Sequence, residues 1–159
     1  MDNWKKQFLE LVKLPVVTVY KSLVMWIEYK NAANQLHRLP ELGPAFTCYV
    51  SKKGYMASQQ YYVNDKKHRP IEDGPASINY NKHGNKTGES YKLHGKKHNI
   101  DKPAVIWYYA EGNISYEVYA VNHQIHRLNG PACIEYYKNG QIRYEEYWVK
   151  DIRLKICQH

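Results

Sequence analysis

The chain has 159 residues, which is enough for one domain with a hydrophobic core and short for two. Its 16 tyrosines and 4 tryptophans against 2 phenylalanines make most aromatic side chains amphipathic, a kind that packs while keeping a polar atom at a wet surface. The 23 Lys and Arg residues against 15 Asp and Glu give a formal net charge of +8. This charge favours acidic proteins, nucleic acids or anionic membranes as partners, although a role in solubility alone is an equally sufficient explanation.

The spacing of the cysteines and the length of the apolar segments limit the classes of protein that the sequence fits. Cys48, Cys133 and Cys157 are widely spaced and include no Cys-x-x-Cys pair, so the sequence predicts neither a disulfide framework nor a zinc site. No N-terminal run has the uninterrupted apolar core of a signal peptide, and no segment approaches the roughly 18 apolar residues of a membrane span. We therefore predict a soluble, cytoplasmic protein without a membrane span.

Residues 1–14 predict a short amphipathic helix. Trp4, Phe8 and Leu11 recur at helical spacing, and Pro15 ends the pattern. The basic residues of this segment also fit a helix that lies on a membrane surface. Because an array of strands exposes its end, we interpret the segment as a cap over the first strands.

From Pro15 onward the chain repeats at a nearly constant spacing. Five prolines lie 29, 31, 28 and 28 residues apart, namely Pro15, Pro44, Pro75, Pro103 and Pro131, and the last four are each followed by Ala. The last four are also each preceded by a histidine, at His37, His68, His98 and His126. Two tyrosines recur in every unit, first at Tyr20, Tyr49, Tyr80, Tyr108 and Tyr136, then at Tyr29, Tyr61, Tyr91, Tyr119 and Tyr147. This lattice indicates five copies of one structural unit.

Each unit predicts a strand, a glycine turn, a second strand and a polar turn. The glycines are Gly54, Gly84, Gly112 and Gly140, and the polar turns are Asn64-Asp65, His94-Gly95, Asn122-His123 and Lys150-Asp151. Alternation along the first strand puts Ala104, Ile106 and Tyr108 on one face. The predicted fold class is mainly β: an elongated, twisted antiparallel meander of about five repeated β-hairpins over residues 15–159, with units starting near 15, 44, 75, 103 and 131.

The motif His126-Arg127, followed by Gly130-Pro131-Ala132, resembles the MORN-variant repeat of bacterial and bacteriophage proteins. Two other units match it with longer loops, whereas the fourth has Asn99 in place of the Arg and Lys102 in place of the Gly. The resemblance implies an interaction scaffold, of which some bacterial members resemble antitoxins and small bacteriophage members resemble inhibitors of host or defence proteins. It implies no catalytic, cofactor-binding or metal residues.

The residues themselves also argue against an enzyme. Equivalent histidines of successive hairpins would lie roughly 9 to 10 Å apart, too far for one metal ion with His bonds of about 2.0–2.1 Å. We instead interpret the repeat His and Arg as structural groups that bond loop carbonyls or pair with Glu89, Glu117 and Glu145. No nucleophile motif and no Gly-rich phosphate loop occurs, and we predict no catalytic site, no cofactor and no metal.

Two sets of residues are candidates for binding a partner. Residues 66–102 contain nine basic residues and four acidic ones, a local net charge of 9 − 4 = +5. The basic candidates are Lys66, Lys67, Arg69, Lys92, Lys96 and Lys97, and the aromatic candidates on the face opposite the tyrosines are Trp107, Tyr116, Tyr144 and Trp148. The basic set fits a solvated face, an acidic protein surface or a nucleic acid. The aromatic set fits a partner surface, self-association or a second packed face.

These features lead to one main hypothesis and two alternatives. We expect a non-enzymatic repeat scaffold that binds a host or defence protein with an acidic surface and inhibits it, encoded by a bacteriophage as the resemblance implies. The first alternative is a nucleic-acid-binding protein that uses the Lys66–Lys102 patch. The second is an antitoxin-like protein that neutralises a toxin.

Overall fold

A computed structural model describes residues 16–19, 24–50 and 54–159, and the helix predicted over 1–14 lies outside these residues. In chain order, the described strands are β1 (Val16–Val19), β2 (Val24–Glu28), β3 (Phe46–Val50), β4 (Tyr55–Gln60), β5 (Tyr62–Val63), β6 (Lys66–Lys67), β7 (Ser77–Tyr80), β8 (Lys86–Ser90), β9 (Lys92–Leu93), β10 (Lys96–Lys97), β11 (Val105–Tyr108), β12 (Ile114–Val118), β13 (Ala120–Val121), β14 (Gln124–Ile125), β15 (Cys133–Tyr136), β16 (Ile142–Val149) and β17 (Ile152–Gln158). Two single-turn 3-10 helices cover Pro40–Leu42 and Ile71–Asp73.

The predicted antiparallel meander is confirmed. Eleven strands form one sheet in the order β1-β2-β3-β4-β7-β8-β11-β12-β15-β16-β17, so that strands adjacent in the sheet follow one another along the chain. The predicted turn glycines have positive φ, for example 83° at Gly84 and 85° at Gly140, a conformation that glycine adopts without steric cost. In the last four units a bulge precedes the first tyrosine, as between Trp107 and Tyr108.

Six short strands form three further hairpins that the sequence analysis did not separate from the main sheet. They pair β5 with β6, β9 with β10 and β13 with β14. Each is closed by one of the predicted polar turns, whose two central residues both have positive φ, 49° and 60° at Asn64 and Asp65 and 49° and 85° at His94 and Gly95. This is the turn type whose twist matches a tight two-residue hairpin.

The short hairpins stack on one another through the polar turns. Gly95 donates its N–H to the Lys67 carbonyl at 2.8 Å, and His123 donates to the Lys97 carbonyl at 2.7 Å. The repeat histidines complete this contact, because Nδ1 of His68 accepts the N–H of His94 at 3.1 Å and Nδ1 of His98 accepts that of Asn122 at 3.2 Å. The histidines therefore join neighbouring units.

We expect acid to weaken this junction. Burial, and then the charge of nearby His94, lower the pKa of His68, so the folded protein favours the neutral ring that accepts the hydrogen bond. The stabilisation is present above the unfolded-state pKa of about 6.5 and is lost as the pH falls below it. Thermal unfolding between about pH 7.5 and pH 5 should show a midpoint lower by about 2–4 °C at the acidic end.

The His68→Gln variant should have a flatter pH dependence than the wild type. His83, whose ring makes no hydrogen bond to the part of the chain described, provides the control, and His83→Gln should keep the wild-type dependence. Equal flattening in both variants would contradict the role assigned to His68.

The repeat arginines bind loop carbonyls within their own units, which is one of the two structural roles expected for them. Each guanidinium group lies over the second tyrosine of the preceding unit, with Cζ 3.9, 4.1 and 3.8 Å from the ring centroids for Arg38 on Tyr29, Arg69 on Tyr61 and Arg127 on Tyr119. Nη1 of each donates to the carbonyl of the motif proline at 3.2, 3.3 and 3.0 Å, in Pro44, Pro75 and Pro131. Each arginine therefore fastens its loop to the sheet by cation–π contact and hydrogen bonding.

The glycine of the motif makes room for this arginine. A Cβ at Gly130, whose φ is 151°, would lie 3.3 Å from Cζ of Arg127. In the fourth unit, Asn99 replaces the arginine and donates from its shorter side chain to the Pro103 carbonyl at 3.3 Å. Without a guanidinium to accommodate, the fourth unit has Lys102 in the glycine position.

The face that carries the repeat tyrosines, here called the tyrosine face, has alternating isoleucines and carboxylates across the sheet. Ile106 lies between Glu89 and Glu117, and Ile134 lies between Glu117 and Glu145. The first tyrosine of a unit donates to the carboxylate of the preceding unit, at 3.2 Å from Tyr108 to Glu89 and 2.9 Å from Tyr136 to Glu117. Glu89 and Glu117 thus bind tyrosine hydroxyls, which was not predicted.

Candidate binding surface

Three of the predicted basic residues come together on one face of the short hairpins. Lys67 lies on β6, while Lys92 and Lys97 are paired across β9 and β10. Burial and the charge of Lys92 lower the pKa of Lys67, and burial and the charge of Lys97 lower the pKa of Lys92. The stacking of the hairpins therefore brings three ammonium groups close enough to repel their neighbours. We call Lys67, Lys92 and Lys97 the lysine row.

The positive charge of the lysine row is not neutralised by a carboxylate among residues 24–50 and 54–159. The ion pairs there involve other cations, such as Lys86 with Glu89 and Lys138 with Glu111. An aromatic contact of the row places Nζ of Lys67 5.7 Å from the centroid of the Tyr62 ring. Partly buried like charges that lack a counterion form a site for an anionic group.

The other predicted basic residues lie elsewhere. Lys66 and Lys96 are exposed and adjacent in sequence to row lysines, so strand alternation places them on the opposite face of the short hairpins. The Arg69 guanidinium is held by the Tyr61 ring and the Pro75 carbonyl. The structure therefore divides the six basic candidates into one converging group of three and three separate residues.

An aromatic pair, the exposed Trp107 and the half-buried Tyr116, adjoins the lysine row. A cleft of about 460 Å³ is lined by Lys97 together with Trp107 and Tyr116. The two rings lie 5.6 Å apart between centroids and are tilted by 36°, and the Trp107 side chain is 55% exposed. Trp107 packs over Gly88, where a Cβ would lie 3.2 Å from the indole. We call the lysine row with Trp107 and Tyr116 the lysine–tryptophan surface.

The nearby cysteine is a packing residue. Cys133 is 2% exposed, and burial raises the pKa of its thiol. Burial, followed by the hydrogen bond with Cys133, raises the pKa of Tyr116. Both groups are therefore protonated at neutral pH, and the thiol lacks the thiolate character of a nucleophile.

Tyr144 and Trp148 are held by a carboxylate that the sequence analysis overlooked. The Tyr144 hydroxyl and the Trp148 indole N–H donate to Glu146 at 2.8 and 2.9 Å. Trp148 also packs against the cluster that contains Tyr119 and Ile134. Their alternation with Glu146 along β16 was the available signal, since three residues two apart on one strand share a face.

Fold and surface together define a β-hairpin repeat protein in which a basic row, without a carboxylate partner in the described part of the chain, lies beside an exposed tryptophan. Compared with protein-family models, with curated proteins and with solved structures, the chain shows no match in any of the three. Within the described ranges no helix has the length and apolar character to cross a membrane, and no group of three His, Cys, Asp or Glu residues is placed to hold a metal ion.

Proposed function

We propose that this chain is a non-enzymatic binding protein whose lysine–tryptophan surface docks on an acidic surface of another protein. The observation that carries the proposal is the lysine row, in which three neighbouring ammonium groups have no carboxylate partner in the described part of the chain. Carboxylates of a partner would relieve this repulsion, and Trp107 would supply the aromatic contact that dominates many protein interfaces. We propose that the partner is a host or defence protein, which is inhibited because this chain covers its acidic surface.

A specific observation also supports the nucleic-acid alternative. The exposed Trp107 ring and Lys97 share one cleft, so that a base could stack on the indole while a phosphate contacts the ammonium group. The proposed bacteriophage origin and the antitoxin-like alternative rest on the MORN-variant resemblance, and both stay predictions.

The test compares two triple variants with the same change in charge. We expect Lys67→Gln/Lys92→Gln/Lys97→Gln to bind a labelled peptide of alternating Glu and Leu about tenfold more weakly than the wild type. The control, Lys66→Gln/Lys82→Gln/Lys96→Gln, removes three exposed lysines away from the row and should retain binding. Fluorescence anisotropy gives both affinities.

A single-stranded oligonucleotide of matched charge distinguishes the two ligand classes. Contacts from three lysines to phosphates predict a log–log salt slope of about −2. Tighter binding of the oligonucleotide with that slope would favour the nucleic-acid alternative, and equal losses in both triple variants would overturn the assignment of the site.

A further inference from the structure

The fourth unit lacks the guanidinium group that covers a tyrosine in three other units. Tyr61 and Tyr119, which lie under Arg69 and Arg127, are 8% and 9% exposed. The equivalent Tyr91 is half-buried, as is Tyr29 beneath Arg38, but no cationic side chain of the described chain stacks on the Tyr91 ring. Asn99 reaches the Pro103 carbonyl but is too short to cover the ring.

The uncovered ring lines a cleft. This cleft has a volume of about 770 Å³, and its walls include Tyr91, Leu93 and Asn99 beside Ile100, which is 71% exposed. The side chain that fills the corresponding space elsewhere is known from within the same protein, because an arginine lies there in three other units. The cleft thus adjoins a tyrosine ring that lacks the arginine found over its counterparts.

The charges around the cleft favour a cation. Glu72 and Asp101 line it and make no ion pair with another described residue, while Lys102 supplies one opposing positive charge. His68 and His98 complete the titratable lining, and Nδ1 of each accepts a backbone N–H. The residues that line the cleft thus include two carboxylates against one ammonium group, while the positive charge of Arg69 also acts on Tyr91.

We propose that the Tyr91 cleft is a socket for an arginine side chain presented by a partner protein. The incoming guanidinium stacks on Tyr91 and donates to the Pro103 carbonyl, which has a second lone pair beside the bond from Asn99, while Glu72 and Asp101 supply the counter-charge. A planar guanidinium fits this role better than a lysine ammonium, because it stacks and donates at the same time. Leu93 lines the cleft and Lys92 belongs to the lysine row, so alternation places the two surfaces on opposite faces of the short hairpins.

The test uses capped arginine amide as the probe and tyrosine-ring NMR signals as the readout. We expect saturable shifts of the Tyr91 signals and none at Tyr61 or Tyr119, whose rings carry their own arginines. Butylammonium should bind several-fold more weakly, and free arginine should bind no more tightly than the capped form. Stronger binding that requires the free carboxylate would indicate a small metabolite and overturn the proposal of a protein side chain.

The Asn99→Arg/Lys102→Gly variant restores the arginine and the glycine found in the fifth unit, whose loop has the same length. In this variant the new arginine side chain would occupy the socket. We therefore expect its affinity for capped arginine amide to fall by at least about tenfold. Should it fail to fold, Glu72→Gln/Asp101→Asn changes two exposed side chains and should weaken binding several-fold. Unchanged shifts of Tyr91 in a folded variant, or equal binding of butylammonium, would overturn the proposal.

Discussion

Replacing Glu89 with leucine should destabilise the protein by about 1–3 kcal/mol, because a buried acceptor shared by two donors is lost. The Glu89 side chain is 5% exposed and accepts hydrogen bonds from Lys86 Nζ and from the Tyr108 hydroxyl. Lys86 is half-exposed and can return to water, so the loss lies well below that of a fully buried ion pair. Most of it comes from the Tyr108 hydroxyl, which loses the acceptor that it has in the wild type.

Glu89→Gln is the matched control, since the chain already uses glutamine at the equivalent position of the preceding unit. Gln59 accepts a hydrogen bond from Tyr80 at 3.1 Å. We therefore expect Glu89→Gln to cost less than about 1 kcal/mol in urea unfolding. A leucine variant as stable as the glutamine variant would show that apolar packing alone stabilises this face.

The alkaline titration of Tyr108 provides a second readout of the same contact. Burial, then the charge of Glu89 and its hydrogen bond, raise the pKa of Tyr108 to about 12. A phenol whose pKa is raised by folding stabilises the protein fully below the unfolded-state value of about 10, and this stabilisation is lost as the pH rises above it. Ultraviolet titration should show Tyr108 ionising at lower pH in Glu89→Leu than in the wild type, although burial still holds its pKa above the ordinary value. Tyr80 and Tyr91, whose pKa values the Glu89 charge also raises, should shift in the same direction.

Substituting Gly130 with lysine should cost about 1–3 kcal/mol, because a side chain there adopts a disfavoured φ and meets a guanidinium group. The φ of Gly130 is 151°, and its added Cβ would lie 3.3 Å from Cζ of Arg127. The fourth unit has a loop of the same length with Asn99 and Lys102 at the two positions. The residue pair, rather than the glycine alone, therefore determines the loop conformation.

A double-mutant cycle tests this dependence. Gly130→Lys should be less costly in an Arg127→Asn background than in the wild type, with a coupling energy of about 1 kcal/mol from urea unfolding. Additive losses would mean that Gly130 is required by the backbone alone. The double variant should also uncover Tyr119 and make it respond to capped arginine amide, as Tyr91 does in the wild type.

Much of the fold follows from local patterns in the chain. The antiparallel meander and its turns were predictable, because tight turns depend on a few residues that tolerate positive φ, such as Asn64 and Gly95. The separation of the short hairpins from the main sheet was not predictable, because the strand pattern continues through Tyr61, Tyr91 and Tyr119 without a break in the sequence. The positions at which the short hairpins leave the main sheet depend on hydrogen bonds between units. One of these runs from the Tyr91 N–H to the Ala104 carbonyl at 2.8 Å.

The candidate sites depend still more on contacts between units. The sequence indicated a basic segment and an aromatic face, and it showed the Asn99 and Lys102 departures from the repeat. It could not show that Lys67 and Lys92 face each other, because residues on different hairpins meet only once the hairpins stack.

The cleft beside Tyr91 also depends on contacts between units, since its lining comes from residues 68–74 as well as from residues 98–102. Strand alternation and turn conformation depend on a few neighbouring residues, so they can be predicted from the sequence of each unit. The surfaces proposed for binding arise between units, from the packing of side chains that are some 25 to 30 positions apart along the chain.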